Sequence, residues 1–127
     1  MFAIMVLSGF LSTMNVAVDK YQDIRLSLND LYMVLLMTGW MFFLSGIFYA
    51  DSGTALFGAA LIIINLFFIR TQFMISQQQY LLGMIPHHSM AVHMSKKLLE
   101  KENNIDSLLA NIITSQEQEI KLMKNLL

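Results

Sequence analysis

All three histidines of the chain, its only proline and three of its eleven methionines fall in one stretch, Gly83–Met94, which reads GMIPHHSMAVHM. On a helix at 100° per residue, Met84, His87, His88, Ala91 and Met94 lie within about 120° of one another, so two imidazoles and two thioethers share a face. Ser89 and His93 point the opposite way, and Met90 sits at the margin. Imidazole and thioether without thiolate make a soft to borderline ligand set, best matched to Cu(I) or Cu(II). Adjacent His87 and His88 do not readily chelate one ion from a regular helix, whereas either of them with Met84 can. A plainer reading stands beside this one: histidines at a helix start bond to water or backbone, and methionines fill a core. Pro86 suits the first turn of a helix, because it donates no N–H and its φ is already near helical. With Gly83 upstream, the expectation is a kink or restart that presents His87 and His88 at a helix N-terminus.

Other chemistries find little here. There is no cysteine, which excludes disulfides, thiolate metal sites and cysteine catalysis. No Glu-x-x-His pair is present, so the di-iron arrangement of some helical bundles is not available. HExxH, glycine-rich phosphate loops and a nucleophile elbow are absent as well. A non-enzymatic protein is expected. A net charge of −1 leaves no basic stripe to neutralise phosphates, so no nucleic-acid partner is expected.

The elements that must position this stretch are unusual for a soluble protein. The chain of 127 residues is 56% hydrophobic and 13% charged, with a mean hydropathy of +0.57. Charge is absent from 1–18, 31–50 and 52–69 and concentrated after position 95. A spanning helix needs about 17–25 mostly apolar residues. Three transmembrane helices are therefore expected, at about 1–18, 31–50 and 54–70, with the bilayer as a partner. The first lacks the basic start of a secretory signal; VAV before Asp19 is compatible with cleavage, but retention as a span is the expectation.

Asp19–Asp30 is a polar connector, and Asn29 or Asp30 can cap the helix that follows. In 31–50, Tyr32, Trp40 and Tyr49 can sit near the membrane interfaces. Met33, Met37 and Met41 form a stripe better read as packing than as a metal relay. Asp51-Ser52-Gly53-Thr54 reads as a tight turn between antiparallel neighbours, with Gly58, Ala59 and Ala60 allowing close approach. Arg70 marks the exit of the third span, whose helix should carry on through Gln77 and Tyr80 to Gly83. A further helix should run from Pro86 to about Lys101, and the last from Asp106 or Ser107 after the Asn103-Asn104 turn. Leu109, Ile112, Ile113, Gln116, Glu119, Ile120 and Met123 share one face of that last helix. It should pack antiparallel on the His/Met face, because the connection is short.

The stretch resembles the family called domain of unknown function 305, a ferritin-like helical family. The resemblance is carried by Tyr80, Met84-Ile85-Pro86-His87-His88, Ala91 and Met94, and by Gln116, Glu119-Ile120 and Met123 in the last helix. Some members look like three spanning helices followed by this hairpin, and Met33, Met37 and Met41 fit a methionine stripe in the second. The resemblance implies copper binding through the paired histidines and surrounding methionines. The chain departs from the pattern at Gln77, where members often carry Asp, and at Leu81, where Met is frequent.

The reading is an all-α membrane protein: a transmembrane region over 1–75 and a His/Met hairpin, ferritin-like or four-helix-bundle-like, over 76–127. Its expected function is non-enzymatic binding of a soft metal, copper as cofactor, through His87, His88, Met84 and Met94, with Glu119 and Met123 from the facing helix. The rival is a structural or assembly component of a membrane or of a larger particle such as a virion, whose His/Met face is only a helix–helix interface. A homo-oligomer or membrane assembly is a further expected partner. Lys20, Arg25, Arg70 and the later lysines place the hairpin in the cytoplasm by the positive-inside rule.

Overall fold

The computed structural model describes residues 1–127, and it is all-helical. The helices are α1 (Phe2–Leu11), α2 (Leu28–Phe48), α3 (Ser52–Thr71), α4 (Gln77–Leu99) and α5 (Asp106–Leu126), with two short 3-10 turns, Met14–Ala17 and Tyr21–Asp23, between α1 and α2. The chain divides into two compact units: 1–13 with 28–75, and 14–27 with 76–127.

In the first unit, α2 and α3 are joined by the expected tight turn. Asp51 caps α3 by accepting from the Gly53 and Thr54 backbone N–H groups, and it also accepts from the Thr54 hydroxyl at 2.8 Å. These bonds hold its carboxyl below the usual carboxylate range, the Thr54 hydroxyl most of all. The two helices approach so closely that glycine is obligatory at the crossing points. A Cβ on Gly46 would lie 2.3 Å from the Ala55 nitrogen, and one on Gly58 would lie 2.2 Å from the Phe43 nitrogen. Polar side chains inside these helices bond back to their own backbone: Thr38 donates to the Val34 carbonyl, and Asn65 to the Leu61 carbonyl.

Two helices, not three, are long and apolar enough to cross a membrane, α2 and α3. The first apolar block makes only ten residues of helix. It stops where Ser12, Thr13 and Asn15 begin, residue types that favour turns because their side chains compete for backbone partners. Asn15 does so, donating to the Arg25 carbonyl at 2.7 Å and accepting from the Arg25 N–H at 3.0 Å. Tyr32, expected at an interface, is buried and donates its hydroxyl to the Phe73 carbonyl at 2.6 Å.

The restart expected at Pro86 lies ten residues earlier. Gln72 in the left-handed region closes α3, Met74 also takes positive φ, and Ser76 caps α4 by accepting from the Gln79 N–H. Helix α4 then runs unbroken through Gly83 and Pro86. A serine cap and two left-handed residues end one helix and start the next, whereas Pro86, buried on α4, is accommodated within the helix.

In the second unit α4 and α5 form the expected hairpin, closed over a core of Leu81, Ile85, Val92, Ile120 and Met123. The 14–27 connector packs on α4 in the same unit.

Candidate functional site

The core just described sets which side of α4 faces α5. Leu81, Ile85, His88 and Val92 form the seam, and Ile85 and Val92 are fully buried. The histidines therefore separate. His88 is buried, whereas His87, one position earlier and about 100° round the helix, is exposed. Met94 is exposed too, Ala91 is half-buried, and Met84 packs against the edge of the core. The expected packing of the His87, His88, Met84 and Met94 face against α5 does not form: only His88 enters the seam, while Met84, His87 and Met94 stay together on the neighbouring stripe. The aliphatic residues, with more apolar area to remove from water, claim the seam and turn the helix by roughly a quarter turn. The two histidine rings keep only an edge-on relation, with centroids 6.0 Å apart.

What the hairpin does assemble is a His88–Glu119 pair. His88 Nε2 lies 2.6 Å from Glu119 Oε2, and His88 Nδ1 lies 2.9 Å from the Met84 carbonyl one turn back. A carbonyl can only accept, which places a proton on Nδ1. Nε2 then has three states open to it. It carries the second proton of an imidazolium paired with the carboxylate, it accepts from the protonated carboxyl of Glu119, or it offers its lone pair to a cation beside Glu119. The other Glu119 oxygen accepts from the Ser115 hydroxyl at 3.4 Å. On α5, Met123 lies in the adjoining core, Gln116 is half-buried and Glu119 is exposed. No group of three His, Asp or Glu side chains is placed to hold a metal ion together.

The other flank of α4 holds residues that spacing did not single out. Buried Ser89 donates to Asp23 Oδ2 at 2.6 Å and accepts from the Asp19 N–H at 2.8 Å. Asp23, itself buried, takes Lys124 of α5 on its other oxygen. Lys96 joins Asp19 at 2.9 Å and Glu117 at 3.2 Å, and these two partners raise its pKa, Asp19 most. Together they clasp the connector across α4 and α5. A cavity of about 260 Å³ lies beneath, lined by Asp19, Lys20, Asp23, Glu117, Lys121 and Lys124 among others. The available signal was compositional: carboxylates in 19–23 and lysines in 96–124 of an otherwise charge-poor chain.

This geometry defines a class first: a helical hairpin pinned by a histidine–carboxylate pair and clasped by a polar connector, in a chain with two long apolar helices. Residues 71–127 match the family model described as Domain of unknown function (DUF305). The chain is also 45% identical over 127 residues to "Uncharacterized protein L153" of Acanthamoeba polyphaga mimivirus, covering 94% of this chain and 84% of that one. Residues 71–127 belong to the DUF305 family, and the chain as a whole is of one family with that mimivirus protein. No solved structure matches it.

Proposed function

We propose that this is a non-enzymatic membrane protein whose hairpin binds a soft metal ion, copper by the chemistry of its donors, at His88. The observation that carries the reading is the ring's geometry. Nδ1 is held by a backbone carbonyl while Nε2 faces a carboxylate, the disposition that orients a ligating imidazole and fixes its tautomer. His88 and Glu119 are the donors, with Met84 and Met123 the thioether candidates, Met123 in the adjoining core and Met84 packed against it. His87 and Met94, on the exposed flank, stand outside this donor set. Imidazole and soft sulfur would supply the lone pairs to copper held there, and the chain's own residues orient the ring and shield it from water.

The membrane part of the reading rests on α2 and α3. Only 28% and 17% of their apolar windows are buried, unlike the mostly buried core helix of a soluble protein. They cross as an antiparallel pair, so the connector before α2 and the hairpin after α3 share one side of the bilayer. The clasp between Ser89 and the connector supports that arrangement. Lys20, Arg25 and Arg70 against a lone Asp51 make that side the cytoplasmic one.

A second reading is favoured by the same pair. Both His88 nitrogens already meet acceptors, so the ring can serve as a pin between helices in a structural or assembly component. The viral source of the relative is compatible with an assembly role. Titrating a copper probe against wild type, H88A and H93A separates the readings. Imidazole binds metal only when neutral, and an ordinary imidazole titrates near pH 6.5. If His88 ligates, affinity falls as pH drops from 7.5 to 5.5, by roughly tenfold for one histidine. H88A loses most binding and H93A keeps it. Equal, weak binding by all three proteins rejects the metal reading in favour of the pin.

A further inference from the structure

Each helix of the hairpin carries a second stripe, one residue before the buried seam. On α4 it is Tyr80, Met84, His87, Ala91, Met94 and Leu98, spaced alternately four and three apart. On α5 it is Leu108, Ile112, Ser115, Glu119, Leu122 and Leu126, with the same alternation. A position one before the seam lies about 100° round a right-handed helix. Because the two helices run antiparallel, both stripes emerge on the same broad side of the hairpin. Positions one after the seam emerge on the opposite side, and these include Ser89, Lys96, Glu117 and Lys124 of the clasp. The connector therefore covers one broad side and leaves the other bare. Met94 is 53% exposed and Leu122 58% exposed there, within a folded chain.

The bare side is not uniformly apolar, and its layering identifies an occupant. His88 lies level with Glu119, which sets the levels of the stripes. At one end Tyr80 and Met84 lie level with Leu126 and Leu122. At the other, Met94 and Leu98 lie level with Ile112 and Leu108. The two central levels hold His87 with Glu119, and Ala91 with Ser115. A bilayer laid on this side would desolvate a base and an acid at its middle. A two-fold that lays the side on a second copy places centre on centre, with apolar ends on apolar ends. It also brings the exposed His87 of one copy toward the Glu119 of the other, a self-complementary pairing of base with acid. A polar residue at the centre of a heptad stripe is the device that specifies register and oligomer state.

We propose that the bare side of the α4–α5 hairpin is the interface of a homodimer, two hairpins forming one four-helix bundle around a His87–Glu119 polar centre. The interface is isologous, as two-fold symmetry requires. It needs no metal.

The test uses the full chain reconstituted in phosphatidylcholine vesicles with a chelator present, so that its outcome is independent of copper binding. The chain has no cysteine, so Gln118→Cys, exposed and off both stripes, gives a single labelling site. Energy transfer between donor- and acceptor-labelled copies should saturate with protein density. Adding Leu122→Arg, at a site already exposed, should weaken self-association at least tenfold without changing helix content. His87→Glu, which sets acid against acid at the centre, should weaken it by at least tenfold as well. Absence of transfer in the labelled parent protein overturns the proposal. So does transfer that Leu122→Arg leaves unchanged, because the copies then meet through another surface. Transfer insensitive to His87→Glu overturns the polar centre.

Discussion

The two units of this chain both expose large apolar side chains, yet by different designs. In the 1–13 and 28–75 unit, α2 and α3 meet through glycine, at Gly46 against Ala55 and Gly58 against Phe43. Leu56, Ile63, Phe67 and Phe48 point outward with no charge among them. Every ion pair of the chain lies in the other unit. There, the exposed apolar side chains of α4 and α5 fall mainly on one side of the hairpin, which is interrupted at its centre by His87, Glu119 and Ser115. Exposed area alone therefore does not name a neighbour. Glycine-mediated contact with an unbroken apolar exterior suits lipid, where helices associate by close packing rather than by hydrophobic exclusion. An apolar side with a polar middle suits a protein surface that carries its own complement.

The largest expected effect breaks the comparison on the membrane side. Ile63→Lys places a charge on an outward, mid-helix position of α3 that is 68% exposed. In a spanning helix this costs about 2.5–3.5 kcal/mol on insertion scales, whereas an exposed site in water tolerates it within about 0.5 kcal/mol. Membrane-fractionated expression should show loss of insertion for Ile63→Lys and none for Leu122→Arg of the hairpin. Equal fractionation of both proteins would remove the distinction between the units.

Next in size is the glycine contact. Gly46→Ala introduces a Cβ where backbone atoms of Ala55 stand, so the helices must separate. A cost of about 1–3 kcal/mol is expected from overpacking, read as a lowered thermal midpoint in detergent. Ala60→Ser, at an exposed position of α3, should shift it far less. Ser89→Ala tests the clasp in the other unit. It removes a donor to buried Asp23 and an acceptor for the Asp19 N–H, at about 1–2 kcal/mol for the groups left unpaired. Limited proteolysis should then cut the 14–27 connector faster while α2 and α3 stay protected.

The smallest effect is in pH. Lys96 has its pKa raised by Asp19 and Glu117, so its contribution is full below the ordinary lysine value of 10.5 and lost as pH climbs through the raised value. The side chain is 41% exposed, and solvent screening keeps the contribution under about 1 kcal/mol. Connector protection, followed by proteolysis or amide exchange, should decline above pH 10.5 in wild type. Lys96→Met should show reduced protection already at pH 8 and no further step in that range.

Much of the architecture was legible in residues alone. Charge-free blocks bounded by Asp30, Asp51 and Arg70 located α2 and α3, because a long apolar helix tolerates few charges. Asp51-Ser52-Gly53-Thr54 located the turn, because a carboxylate there can accept the free N–H groups of the next helix. The Asn103-Asn104 signal and the Asp106 start separated α4 from α5, and Glu119 was expected opposite the histidines. The ten-residue limit of α1 was less visible: the block up to Val18 is apolar in sum, and only its turn-forming side chains stop it.

What tertiary structure decided is which neighbour each face of α4 received. Periodicity places residues round a helix but does not say where the partner sits, and a seam moves with the side chains that lose most water contact. Ile85 and Val92 took the seam, so His88 turned toward Glu119, His87 and Met94 turned outward, and Ser89 met a connector some 70 residues earlier in the chain. Contacts over that separation leave no period in the sequence. They come into being only when the connector folds back, which is why the pairing of His88 was partly readable from spacing and the clasp of Ser89, Asp19 and Asp23 was not.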